Sequence, residues 1–194
     1  MCKLQVCLPS TPEPLGPNHV DLSPTRSHWG YLYDQTLMRA TLFENVGLMK
    51  YDEVFSTLAT VHFTKPVSDE NITVIDTNFS DIPVRLYLPK RKSERQRPAV
   101  IFIHGGAFVF GSCKMSAYDD LNRRTANKLN AVVVGIDYRL APQYPFPVAL
   151  EDCVSVTKFF LQDKVLAEYG VDPSRICIMG ESSGGTLTAI VTQL

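Results

Sequence analysis

Ile176-Cys177-Ile178-Met179-Gly180-Glu181-Ser182-Ser183-Gly184-Gly185 carries four apolar residues straight into Gly-x-Ser-x-Gly. The apolar run reads as a buried strand, and Thr186-Leu187-Thr188-Ala189-Ile190-Val191 behind it can start a helix. A strand that turns sharply into a helix about a central Ser lifts that hydroxyl clear of the sheet. Gly180 and Gly184 suit the turn because a Cβ at either place would meet neighbouring backbone. The helix N-terminus beyond Ser182 favours negative charge developing nearby. Alone the pattern is weak, since average Gly and Ser usage produces it by chance in about one chain in twenty of this length.

A second motif gives it weight. His104-Gly105-Gly106-Ala107 follows directly on the apolar run Ala99-Val100-Ile101-Phe102-Ile103. Acyl transfer builds negative charge on a carbonyl oxygen, and backbone N–H groups aimed at that oxygen lower the barrier. In the α/β-hydrolase arrangement one donor is the residue after the nucleophile, here Ser183. The others come from a His-Gly-Gly loop after an earlier strand, here Gly105, Gly106 and Ala107, with His104 supporting the loop. Ser182 is then the expected nucleophile.

With Asp137-Tyr138-Arg139-Leu140-Ala141-Pro142 added, these motifs resemble the hormone-sensitive-lipase-like branch of the α/β-hydrolases. Within that branch the chain resembles the arylacetamide deacetylase group of esterases, over residues 60–194. The resemblance implies a serine hydrolase of carboxylic esters or amides that works through an acyl-enzyme. It implies a small-molecule ester, amide or lipid substrate, no cofactor and no metal. It also implies an N-terminal membrane anchor and a catalytic domain in the endoplasmic reticulum lumen, and this chain starts without such an anchor. Two residues depart from the pattern. Ala107 replaces the usual third Gly of the loop, and Ser183 stands where the branch usually has Ala.

Of the 194 residues 45% are hydrophobic and 20% charged, which is globular composition and fits one domain. The formal net charge of -1 points to neither nucleic acid nor a polyanionic surface. No apolar stretch approaches the ~20 residues that span a bilayer. Pro9 cuts the first apolar residues short before a signal-peptide core can form. The five cysteines suggest no disulfide framework, and Cys177 reads as a small buried hydrophobe.

Residues 1–27 carry Pro9, Pro12, Pro14, Pro17 and Pro24 and read as a flexible extension. Residues 28–66 read as a helical cap region. Met38, Leu42, Val46 and Met49 keep helical spacing there, and a second short helix fits Asp52 to Ala59. In the resembled family such helices cover the acyl-binding cleft, but a packing helix without substrate contact fits equally well. Residues 67–194 read as the N-terminal part of a catalytic domain. Ile72–Ile75 and Val84–Leu88 flank a turn and form a hairpin. Ser116 with Asp119 looks like a capping box opening a helix to Leu129. Ala131–Ile136 is a buried strand, and a helix from Pro147 runs to the neighbourhood of Gly170. Apolar strands alternating with helices imply a mostly parallel sheet covered on both faces, an α/β fold.

Asn71-Ile72-Thr73 and Asn78-Phe79-Ser80 match the N-glycosylation acceptor pattern. Asp137 and Arg139 read as ties for the loop after a strand. Asp119, Asp120, Glu151 and Asp152 read as caps or solvated positions.

The family's triad runs in the order Ser, then Asp or Glu, then His. The residues from Thr186 to Leu194 hold none of the last three. The histidines are His19, His28, His62 and His104, all upstream. Without a base the hydroxyl stays protonated and is a poor nucleophile. The strand before Ser182 also lacks a neighbour on one side, leaving an apolar edge. The sequence therefore reads as the N-terminal part of an esterase, a truncated isoform or partial gene model, with the triad Asp and His beyond Leu194. The alternative is an inactive product with at most a ligand- or partner-binding role.

Overall fold

The structure is a computed structural model that describes residues 62–194 continuously, with Gln5–Val6 and positions 42, 44, 45, 47, 50 and 53 upstream. The chain divides into two compact units, Met1–Cys7 with Leu58–Leu194, and Leu8–Thr57. Of the flexible extension expected over 1–27 only Gln5–Val6 are described, and they form a strand instead; the rest of it and most of the cap region over 28–66 lie outside the described residues. Leu42, Glu44, Asn45 and Glu53, which fall in the expected helices, are helical.

In the larger unit the elements are β1 (Gln5–Val6), β2 (Ile72–Phe79), β3 (Ile82–Pro89), β4 (Arg97–Ile103), α1 (Ser116–Leu129), β5 (Val132–Ile136), α2 (Val148–Phe160), α3 (Asp163–Tyr169), β6 (Val171–Gly180) and α4 (Ser183–Val191). They build a six-stranded sheet in the order β1-β6-β4-β5-β3-β2. β1, β6, β4 and β5 run parallel, and the β2–β3 hairpin closes the other side antiparallel. This is the α/β-hydrolase arrangement expected from the apolar strand runs, with β4 central and buried on both faces.

The pleat divides the side chains between two cores. Ala99, Ile101 and Ile103 of β4, Val132, Val134 and Ile136 of β5, and Ile176 and Ile178 of β6 face one side. There they pack with Cys153, Val156 and Phe160 of α2 and Leu187 and Val191 of α4. Val100, Phe102 and Val133 face the other side, against Ala126 and Tyr118 of α1. Burying one such Val, Ile or Phe side chain stabilises by about 1.5–3 kcal/mol. That is why an unbroken apolar run, not an alternating one, marks these strands.

Five details differ from the sequence reading. The hairpin is tighter: Ser80 and Asp81 alone turn the chain, both at positive φ (50° and 65°), so Phe79 pairs directly with Ile82. The helix after Pro147 breaks at Leu161–Gln162 and resumes as α3, which Gly170 ends in the left-handed conformation. The apolar edge at β6 is not bare. Gln5 and Val6 pair in parallel with Cys177 and Ile178.

Cys177 alternates with Ile176 and Ile178 along the strand, so it faces away from their core. It is half-buried and disulfide-bonded, not a core hydrophobe.

Asp119 and Asp152 are neither caps nor solvated. Asp119 is buried and accepts from Arg85 Nη1 (3.0 Å), the Tyr87 hydroxyl (2.9 Å) and Arg123 Nε (2.6 Å). Arg85, itself fully buried, also donates to both Asp76 oxygens and to Thr64 Oγ1 and O. Asp152 takes Arg139 through two guanidinium nitrogens, which ties the 137–147 loop to α2 as expected for Arg139. Charges this deep persist only when paired.

Candidate active site

β4 and β6 are adjacent and parallel, and Ile103 pairs with Gly180. Their carboxyl ends therefore release two loops side by side. From β4 come His104 to Ser112, and from β6 comes the turn through Ser182 into α4.

The turn is as tight as the glycines require. Ser182 sits at φ 52°, ψ -121°, a region costly for a residue with a Cβ. A Cβ on Gly180 would strike the carbonyl of Gly184. One on Gly184 would strike Ile103 O and come within 2.5 Å of His104 O. Gly184 N and Gly185 N donate to Glu181 O and Ser182 O, both at 2.8 Å, and lock the turn. Ser182 occupies the N-cap of α4, yet its hydroxyl makes no capping bond. The side chain is exposed and, among the described residues, unbonded.

The opposing loop carries its own strain. Gly106 lies at φ 124°, where a Cβ would run into Phe110 O. Ala107 and Phe108 follow at φ 51° and 66°. Ala107 thus holds a left-handed conformation that Gly would adopt more cheaply. Gly106 O takes the amides of Val109 and Phe110, each at 3.0 Å, and Phe108 O takes Ala141 N at 2.9 Å.

The four amides expected to face a developing oxyanion fall into two groups. No acceptor among the described residues takes the N–H of Gly106, Ala107 or Ser183. The N–H of Gly105 donates to the Tyr118 hydroxyl at 3.3 Å. That hydroxyl donates in turn to Glu181 Oε2 at 2.7 Å. The sequence reading passed over Tyr118, although its place three residues into α1 is a cue that the helix start returns to the loop.

His104 is fully buried beneath the loop. Its ring stacks on Tyr138 with centroids 4.1 Å apart, and Nδ1 lies 2.7 Å from Gly105 O. The Tyr138 hydroxyl donates to His104 O at 3.0 Å. Burial holds the imidazole pKa below its usual value, so it is neutral at pH 7. Nδ1–H then donates to Gly105 O, which fixes the tautomer. Among the described residues His104 makes no hydrogen bond to Ser182. Burial also raises the Tyr138 and Tyr118 hydroxyls, Tyr118 further through the Glu181 carboxylate. Both remain protonated donors.

Asp137 pairs with Lys114 at 3.0 Å and binds the loop ends together. Among the described residues no three His, Cys, Asp or Glu side chains gather to hold a metal, and no helix is long and apolar enough to cross a membrane.

The chain is similar to known hydrolases. Residues 100–194 match the family described as alpha/beta hydrolase fold. Arylacetamide deacetylase-like 2 of Homo sapiens is 61% identical over 154 residues, covering 79% of this chain and 38% of that protein. Arylacetamide deacetylase of Oryctolagus cuniculus is 43% identical over 178 residues, covering 91% and 44%. The crystal structure of EstE1, a thermophilic carboxylesterase from a metagenomic library, superposes with a TM-score of 0.54 at 34% identity, covering 83% of this chain and 47% of that one. The chain spans about two fifths of the length of the curated relatives it matches (38% and 44%).

Proposed function

The chain belongs to the α/β-hydrolase family, with the arylacetamide deacetylase-like esterases of its hormone-sensitive-lipase-like branch, and from that premise we propose that it carries the nucleophile and oxyanion side of a serine carboxylic-ester or amide hydrolase site. One observation carries the reading. A strained, exposed, uncapped Ser182 stands where β6 ends, beside a β4 loop, with the amides of Gly106, Ala107 and Ser183 left without acceptors among the described residues. A fold normally pairs such groups or leaves them to water.

In this reading Ser182 Oγ attacks the carbonyl carbon of a small ester, amide or lipid. The carbonyl oxygen turns negative and takes the amides of Gly106, Ala107 and Ser183. One such donor contributes about 3–4 kcal/mol of transition-state stabilisation. The N-terminus of α4 adds favourable potential at the same place. Collapse expels the alcohol or amine and leaves an acyl-Ser182, which water then hydrolyses. Gly105 serves by the place of its backbone, since its N–H is already engaged. The Ser182 proton needs a base. His104 is buried and committed to Gly105, so the base and its orienting carboxylate are assigned outside the described residues.

Asn71 and Asn78 are read as glycan acceptors. Both are exposed, Asn71 just before β2 and Asn78 near the hairpin turn on an edge strand.

A fluorophosphonate probe tests the reading on the longest natural form of the polypeptide. Peptide mapping is expected to find the adduct on Ser182 and none in Ser182→Ala. Labelling elsewhere ends the assignment. Residues 1–194 alone are expected to hydrolyse p-nitrophenyl acetate little. Brisk turnover that depends on Ser182 would place a base within them.

A further inference from the structure

We propose that Tyr118 and Glu181 act as positioning residues, a clasp that sets the amide loop in register with the serine turn. This rests on the reading of Ser182 and the three amides given above.

Three contacts converge on the clasp. Gly105 N–H donates to the Tyr118 hydroxyl (3.3 Å), and that hydroxyl donates to Glu181 Oε2 (2.7 Å). The Glu181 carboxylate also lies against the Cα of Gly105, where a Cβ would meet Oε2 and come within 2.9 Å of Glu181 O. Tyr118 is itself fixed. Its ring packs on Phe102 (5.2 Å between centroids) and near His104 (6.3 Å). The residue before the serine thus reaches across to the residue before Gly106. Glu181 also anchors its own turn, donating its N–H to Ile103 O (3.3 Å) and accepting Gly184 N (2.8 Å). One residue therefore links both loops, through its side chain on one side and its backbone on the other.

The clasp does two things. It joins the loop bearing the amides of Gly106 and Ala107 to the turn bearing Ser182 and Ser183, so the three donors keep one spacing. It also engages a carboxylate one residue from the serine with a hydroxyl donor. An anion left free there would oppose charge growing on a carbonyl oxygen. A carboxylate beside an acyl-transfer site is otherwise a liability, and its pairing with Tyr118 explains how it is tolerated.

The test combines loop mobility with kinetics. In the 194-residue chain, Tyr118→Phe and Glu181→Ala are each expected to speed amide exchange of the peptide spanning residues 104–110 by about tenfold, with the β4 and β6 core peptides unchanged. The double variant adds nothing further, and Glu181→Gln, which keeps an acceptor, restores most of the protection. In the longest natural form both single variants lower kcat about tenfold with KM within about twofold. Additive effects, an unchanged loop, or a loss confined to KM would overturn the clasp. Ser182→Ala separates the two ideas. If it retains turnover, the nucleophile reading fails whatever the loop does. If it abolishes turnover while Tyr118→Phe changes neither exchange nor kcat, the clasp alone is wrong.

Discussion

Arg85 and Ser182 mark two opposite ways in which this fold treats polar groups. Around Arg85 all three guanidinium nitrogens are bonded, to Asp76, Asp119 and Thr64, and Asp119 also takes Tyr87 and Arg123. Where β4 and β6 end, four residues without glycine's freedom or in its extreme range sit at positive φ: Gly106, Ala107, Phe108 and Ser182. Three amides find no acceptor there among the described residues. One region spends its hydrogen bonds on holding the hairpin to α1. The other keeps donors unpaired and backbone strained, and is held in that state by its neighbours. Such donors, unpaired among the described residues, are what the proposed oxyanion site uses.

Substitutions can break the contrast from either side. Arg85→Met should cost most, about 4 kcal/mol, because the buried Asp119 loses one of its two cations and Asp76 loses the guanidinium that takes both of its oxygens. A lower urea midpoint at constant slope would show it, and a neutral result would mean that the network contributes packing only. Gly184→Ala should cost about 3 kcal/mol, since the methyl meets the backbone of Ile103 and His104, which cannot yield as a side chain could. Wild-type stability would show that the turn has slack.

Acid should weaken the loop next. His104 is neutral when folded, with its pKa lowered by burial. The unfolded chain takes up a proton near pH 6.5, and the folded chain does not until lower pH. Stability is therefore whole above about 6.5 and falls below it, by at most about 1.4 kcal/mol per pH unit. Asp69 and Asp172 act in the same direction but in a lower window: both are held below the usual carboxylate range, Asp69 by the amides of Ile72 and Asn71, and Asp172, at about 2, by hydrogen bonds from Ser174 and Arg175. Their contribution is lost only as pH falls below about 4. A melting series from pH 7.5 to 5 should thus flatten in His104→Gln, and an unchanged slope would acquit the imidazole. The smallest effect is a gain. Ala107→Gly should stabilise by up to about 1 kcal/mol by relieving a left-handed alanine, measured by thermal melting; a loss would mean that the methyl packs.

The parallel core was legible because β4, β5 and β6 are buried on both faces and so read as unbroken apolar runs. The serine turn was legible because Gly180 and Gly184 answer a local steric demand. The clasp was not. Tyr118 and Glu181 are 63 residues apart, and neither carries a motif of its own. Asp119 misled for the same reason. Ser-x-x-Asp suggests a cap, but Arg85, 34 residues upstream, draws the carboxylate inward, and Met115 takes the N-cap position. Gly105 was expected to offer its amide to a ligand, and only the fold shows that Tyr118 already holds it. The partner of the β6 edge was hidden as well, because two residues carry too little pattern to announce a strand.

The φ of 52° at Ser182 also bears on which amino acids the position could ever accept. A threonine offers the same hydroxyl chemistry. Its second branch at Cβ, however, makes it one of the residues least tolerant of positive φ. Cysteine, unbranched, meets no such bar. The backbone thus selects among nucleophiles by shape before reactivity is weighed, leaving serine and cysteine open to this turn and threonine closed.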